Sequence, residues 1–312
     1  MWITRTVTAL SLSAILASGC ATGHGRSLAT RFVRSGTPSV DLGGPPPPPK
    51  PSKDRSKPTD PDHRIRPTSV GASIENSDAR LSAALVVERA LPTPENHLRA
   101  AREYRRLGIL DACADHLQAA IHIAPQFAEA HEELARVWRD WGLPAYGLGF
   151  AYRAVSFAPR SASAHNTLGT ILAVLGRFEP ARKAYFQALS IDPNATWALN
   201  NLCDLERRFG HIEEGRSHCE AALRLDPSFA AAHNNLALIL ASSGDFEGAR
   251  GQFLAGGDEA AANYNLGVLH LARGNYSVAA SLFEKAIQIR PEFTAAKNRA
   301  HVARLHLMTG GN

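Results

Sequence analysis

The chain has 312 residues, of which 45% are hydrophobic and 20% charged, a normal balance for a folded protein. Four cysteines in this length exclude a disulfide-framework miniprotein, and no apolar run reaches the ~20 residues of a membrane-spanning helix. The net charge of +5 dissolves when divided: residues 91–312 hold 22 basic and 22 acidic side chains, whereas residues 1–90 hold 12 basic against 7 acidic. A solvated basic linker accounts for that excess, and no compact basic face for nucleic acid is implied.

In chain order, the first segment reads as an export signal over residues 1–19. Arg5 and the amino group supply a positive start, and Thr6 to Ala17 an apolar stretch of signal-peptide length. Leu16-Ala17-Ser18-Gly19-Cys20 then resembles the lipobox of bacterial lipoproteins, although Ala17 stands where that family prefers leucine. The resemblance implies cleavage before Cys20 and lipidation of its thiol, with membrane attachment through the acyl chains. Ala21 and Thr22 follow with no aspartate, which in lipoproteins goes with the outer membrane, facing the periplasm. Ala17 and Gly19 also fit ordinary small-x-small cleavage, which would leave a soluble secreted chain.

Residues 20–76 hold Gly43-Gly44, the run Pro45 to Pro49, and Pro51, Pro58, Pro61 and Pro67 among scattered lysines and arginines. Too little apolar surface exists here to offset the entropy of ordering, so the segment is expected to be a disordered Pro-rich tether. Residues 77–93 differ. Leu81, Ala84, Leu85 and Glu88 follow helical spacing, and Pro92 stops what reads as a lead-in helix.

The remainder repeats. Glycines at 108, 142, 176, 210, 244 and 274 are spaced 34, 34, 34, 34 and 30 residues apart, and prolines at 125, 159, 193, 227 and 291 share the period. The units are 94–127, 128–161, 162–195, 196–229, 230–259 and 260–293, with 294–312 as a C-terminal capping helix. Within 162–195, Leu168, Gly169, Leu172 and Leu175 mark the buried stripe of a helix A that Gly176 ends. Ala181, Tyr185, Ala188 and Ile191 mark that of a helix B, which Pro193 terminates. Gly169 and Ala181 form a small pair expected to let the two helices approach. One hairpin cannot bury its face alone, so neighbours must stack.

This pattern resembles the tetratricopeptide repeat (TPR). The family positions read Leu134-Ala135-Trp138, Leu168-Gly169-Leu172, Leu236-Ala237-Leu240 and Leu266-Gly267 in helix A. In helix B they read Ala181-Tyr185-Ala188-Pro193 and Ala279-Phe283-Ala286-Pro291. The resemblance implies an all-α fold, a TPR α-solenoid of six helical hairpins plus the capping helix. Two units depart from the pattern. Unit 196–229 has Glu206 in an apolar slot and Cys219 where an aromatic belongs. Unit 230–259 lacks four residues and its proline, about one helical turn, so a short helix B is expected there, and the pair of units 196–229 and 230–259 is expected to be the weak segment.

Catalytic motifs are missing: there is no phosphate loop, GxSxG, HExxH or CxxC. No catalytic residue, metal ligand or cofactor is assigned, and no small-molecule substrate is expected. His131, His165 and His233 share the fourth place of their units and read as one packing solution reused. Cys203 and Cys219 read as buried thiols by default, with pairing open in an oxidising compartment.

Function is expected on the concave face, which in TPR proteins is lined by helix A. Mapped here, the first unit presents Arg99, Arg102, Arg105 and Arg106, and the second Glu129, Glu132, Glu133, Arg136 and Arg139; Arg99, Arg102, Arg106 and Arg136 form a secondary basic groove. Further on come Asn166, Asn200, Asn201, Asn234, Asn235, Asn265 and Asn298, with Trp197 and Tyr264. Carboxamides donate and accept, so such a row can hold the backbone of an extended peptide, with the aromatic rings as anchors. The row looks similar to the asparagine ladder of TPR-containing O-linked N-acetylglucosamine transferases. A lipidated six-unit TPR chain is also similar in architecture to pilotins of type IV pilus secretins and to the TPR lipoprotein of tight-adherence pilus systems. That implies an envelope-tethered scaffold binding a protein or peptide during pilus or secretion assembly. The alternative is a non-catalytic regulatory subunit of a cell-envelope enzyme.

Overall fold

A computed structural model describes residues 78–310. The signal segment 1–19, Cys20 and the Pro-rich stretch 20–76 lie outside the described residues. Fourteen helices and no strand occur among the described residues, in two compact units that meet in sequence at Ala198 and Leu199.

The first unit begins with α1 (Ala79–Ala90), the expected lead-in helix, whose Leu81, Ala84 and Leu85 are buried. Hairpins α2/α3 (Pro94–Arg106, Leu110–Ile123), α4/α5 (Ala128–Asp140, Pro144–Phe157) and α6/α7 (Ala162–Val174, Phe178–Ile191) follow, then the start of α8 (Thr196–Phe209). The second unit holds the rest of α8 with α9 (Ile212–Leu225), the pairs α10/α11 (Ala230–Ser242, Phe246–Ala255) and α12/α13 (Glu259–Ala272, Tyr276–Ile289), and the capping helix α14 (Thr294–Met308). The repeating glycine stands just after helix A with a positive φ, 77° at Gly142 and 91° at Gly244, where a Cβ would be strained. Thr93, Ser161 and Asp258 cap the helices that follow them by accepting a backbone N–H three residues on.

The period also explains how each hairpin closes. A Cβ on Gly169, eighth in its unit, would come within 2.6 Å of the Tyr185 ring, twenty-fourth in the same unit. Gly267 stands 2.7 Å from the Phe283 ring by the same measure. The small residue therefore makes room for the aromatic ring, and the twentieth place, that of Ala181, also lies against the eighth: a Cβ on Gly147 would fall 2.7 Å from the Ala135 carbonyl oxygen and one on Gly215 3.1 Å from that of Cys203. In α8/α9 the eighth and twenty-fourth places carry Cys203 and Cys219, which are buried and joined as a disulfide across 16 residues, with Cα atoms 5.3 Å apart. This corrects the expectation of free thiols. Where other hairpins fill the slot with glycine under a ring, this one fills it with a covalent link.

Glu206 is fully buried, and its carboxylate meets His211 Nδ1 at 2.8 Å. The acidic residue is thus partnered, in the hairpin that also carries the disulfide. The shortening of the next hairpin is as expected: α11 has 10 residues against 14 in α7, α9 and α13. Its end packs tightly, since a Cβ on Gly256 would fall 2.7 Å from His233 Cβ and 3.0 Å from the Ala230 carbonyl oxygen. No helix among the described residues is long and apolar enough to cross a membrane.

Candidate functional site

Within each unit, polar side chains bridge helix A of one hairpin to helix A of the next at several places. In the first unit the bridge is ionic. Arg102 donates to Glu129 at 3.0 Å, and Arg105 to Glu133 at 3.1 Å and Asp140 at 2.8 Å. Arg136 donates to Glu132, to Glu133 at 3.2 Å, to Ser163 Oγ at 2.9 Å and to Thr167 Oγ1 at 3.0 Å. Ser163 and Thr167 in turn donate to Glu132, at 2.6 and 3.0 Å. Arg106 is held by Asp78 and Glu103, at 2.6 and 2.7 Å. The basic groove expected from Arg102, Arg106 and Arg136 is therefore a neutralised ladder; Arg99 is exposed and makes no ion pair among the described residues. Burial opposes the charge on Arg105, but its hydrogen bond to Asp140 and the field of Glu133 outweigh it and hold the guanidinium above its usual range. A cavity of about 590 Å³ beside this ladder is lined by Arg102, Arg105, Arg106, Glu133 and Asp140.

In the second unit the bridge is made of amides. Asn235 Nδ2 donates to Asn200 Oδ1 at 2.9 Å, a sixth-place residue meeting a fifth-place residue 35 positions earlier. Thr167 and Glu132 make the corresponding contact, also 35 positions apart, in the first unit. The next rung would join Asn234 to Asn265, but the shortened hairpin makes that interval 31 residues. It does not form. Asn265 is 2% exposed, and its Oδ1 is buried with no hydrogen-bond partner. Such an orphaned acceptor destabilises a fold by roughly 1–3 kcal/mol. Asn166, Asn201 and Asn234 are half-buried and Asn298 is exposed.

The two aromatic rings expected as anchors differ in burial. Tyr264 is buried, with its ring 5.7 Å from Phe283 and 4.9 Å from Phe293. Trp197 is half-buried in a cluster with Ala162, Ala188, Leu189, Ala195 and Ala198, in the first unit. Both rings contribute to packing, and the open chemistry of the face rests with the amides.

The fourth-place histidines share one task. His131, His165 and His233 place Nε2 at 2.9, 3.0 and 2.9 Å from the carbonyl oxygens of Pro125, Pro159 and Pro227, which joins each helix A to the turn before it. His97, fourth in the first repeat, was not singled out in the sequence, and there the equivalent carbonyl belongs to Leu91 and accepts from Asn96 at 2.8 Å. His97 Nδ1 instead lies 3.1 Å from His116 Nδ1 and 3.4 Å from Glu88 Oε1. Burial pushes the His116 ring down to about 4, helped by the charges of His97 and Arg89, and burial also lowers His97. Cys113, the free cysteine among the described residues, is buried, and that burial pushes its thiol up to about 12.

Three segments match tetratricopeptide repeat family profiles: residues 162–195, 201–256 and 260–293. A search of curated protein sequences finds no match. Among solved structures, the chain is similar to Pseudomonas aeruginosa PilF, with a TM-score of 0.53 and 20% identity over 66% of this chain and 95% of that one. It is similar to PilW, described as a widely conserved type IV pilus biogenesis factor, with a TM-score of 0.57 and 18% identity over 66% and 97%. A tetratricopeptide repeat protein from Parabacteroides merdae gives a TM-score of 0.58 and 15% identity over 75% and 95%.

Proposed function

We propose that this tetratricopeptide repeat protein is a non-catalytic adaptor that holds an extended segment of a partner protein on the helix-A face of residues 199–310. Repeats of this kind are in general protein-interaction scaffolds, and the stacked hairpins supply the rigid ladder that such a role needs. The observation that carries the specific reading is the unfinished rung at Asn234 and Asn265. Asn200 and Asn235 satisfy each other on this face, whereas Asn265 Oδ1 is buried with nothing to accept from. A backbone N–H of a bound segment would supply that donor, and Asn201 and Asn234 lie on the same face to hold adjacent peptide groups. Replacing Asn265 with leucine tests it: partner capture should fall while the fold is kept. Loss of the fold with capture intact in the folded fraction would overturn the reading.

The adaptor is placed at the bacterial envelope by Cys20, lipidated and facing the periplasm from the outer membrane, where it serves assembly of a pilus or secretion complex. Support comes from the lipobox-like Leu16 to Cys20 together with a fold shared with PilF and PilW. Cys20→Ser should release the protein from membranes and abolish metabolic palmitate labelling. Unchanged membrane retention and labelling would exclude the anchor.

A further inference from the structure

The first repeat carries a cluster that the interaction role does not use. Glu88 on α1, His97 on α2 and His116 on α3 converge so that one ligand atom from each lies within 4.8 Å of the other two. His97 and His116 are 7% and 4% exposed, and the Glu88 side chain is 13% exposed at the rim.

Repeat geometry explains why the two rings meet. The fourth place of a unit faces its twenty-third: His131 stands against Phe150 and His233 against Gln252 in the same relation. The other fourth-place histidines are committed through Nε2 to a proline carbonyl, and in α2 that commitment is absent. What remains is an awkward hydrogen-bonding arrangement. Two Nδ1 atoms 3.1 Å apart can share a single proton, and if His116 donates it, the Glu88 carboxylate faces the His97 lone pair.

A metal ion resolves this. Ligands bound tetrahedrally at 2.0–2.1 Å stand roughly 3.3 Å from one another. The two separations from His97, 3.1 Å to His116 and 3.4 Å to Glu88, bracket that edge, and the third, between His116 and Glu88, is wider but within 4.8 Å. Two neutral imidazoles and one carboxylate form a donor set suited to zinc and its neighbours, and three protein ligands leave one position for water at the Glu88 side. We infer that Glu88, His97 and His116 form a binding site for a divalent transition-metal ion of the zinc class, which staples the lead-in helix to the first repeat. Tyr104, stacked on His116 at 5.4 Å between ring centroids, fixes that ring's orientation. Because the site joins α1, α2 and α3, occupancy stabilises the start of the repeat array by mass action.

The test uses the tag-free full-length chain, titrated with Zn²⁺ against a chromophoric chelator and separately with Co²⁺. One equivalent of Zn²⁺ should bind with a dissociation constant in the micromolar range or below, and Co²⁺ should give the intense visible bands of tetrahedral coordination. His116→Gln should weaken Zn²⁺ binding by about tenfold or more. Glu88→Gln, at a rim position the fold tolerates, should do the same and quench the cobalt bands. His165→Gln, whose parent ring meets the Pro159 carbonyl in another repeat, should bind as the parent does. Absence of saturable Zn²⁺ binding, or equal affinity in the folded Glu88→Gln chain, would overturn the assignment.

Discussion

Asn265→Leu is the substitution on which the two roles of a buried amide part most sharply. Asn265 is 2% exposed and its Oδ1 has no partner, so leucine, with the same number of side-chain heavy atoms, removes a penalty of roughly 1–3 kcal/mol. Imperfect shape matching returns up to about 1.5 kcal/mol of that. The net change in stability should therefore run from near neutral (about −0.5 kcal/mol) to about 3 kcal/mol in favour of the variant. Asn200→Leu is the control. It breaks the 2.9 Å bond from Asn235, strands a half-buried amide, and should lower stability by about 1 kcal/mol. For a domain of this size that is a Tm lower by roughly 2–4 °C, readable by thermal denaturation followed by circular dichroism. Capture of the envelope partner by the two variants supplies the second axis. Leaving a ligand N–H unpaired weakens binding by about tenfold for each 1.4 kcal/mol lost, so Asn265→Leu should capture at least tenfold less while melting close to the parent or above it. An Asn265→Leu chain that melts below Asn200→Leu and captures normally would refute the reasoning, because the amide would then be structural.

The disulfide, the ionic ladder and the buried thiol each give a test of the fold. Non-reducing peptide mapping should join the fragments containing Cys203 and Cys219, and Cys203→Ser should lower stability by about 3 kcal/mol, as expected for closing a loop of this length; separate peptides would contradict the bond. Arg136→Ala should cost about 2 kcal/mol in a thermal or urea melt, because Glu132, Glu133, Ser163 and Thr167 lose a shared partner, whereas Arg99→Ala should shift it by less than about 0.5 kcal/mol; equal effects would mean the ladder contributes nothing. Cys113, with its thiol pushed up to about 12, should resist thiol reagents at pH 8 in the native chain and react only on denaturation; rapid native labelling would show the site to be open.

The period of glycine and proline carried the fold: it placed the hairpins, the cap and the shortened α11, and helical spacing before Pro92 placed the lead-in helix, because each depends on local chemistry. What the sequence hid were relations between places in the repeat. Cys203 and Cys219 looked like two isolated small residues until their places, eighth and twenty-fourth, were seen to be those of Gly169 with Tyr185 and Gly267 with Phe283. The arginines of α2 looked like a basic groove because their neutralising carboxylates sit in the next unit, and pairing requires the stack. The fifth place of α12 was read as groove-facing, as it is for asparagine, but a tyrosine there is long enough to reach Phe283 and Phe293. His97 went unremarked because its phase matched the other histidines, while the missing proline carbonyl that frees it is a feature of the preceding turn.

The central claim is that the amide-bearing helix-A face of residues 199–310 holds a protein segment. Site-specific photocrosslinking in living cells tests it most directly, with the photoreactive residue placed at Asn234 on that face and, separately, at exposed Glu213 on helix B of the preceding hairpin. A discrete adduct from position 234, lost in the Asn265→Leu chain and absent from position 213, is the result predicted. Equal adducts from both positions, or an adduct from 213 alone, would contradict it.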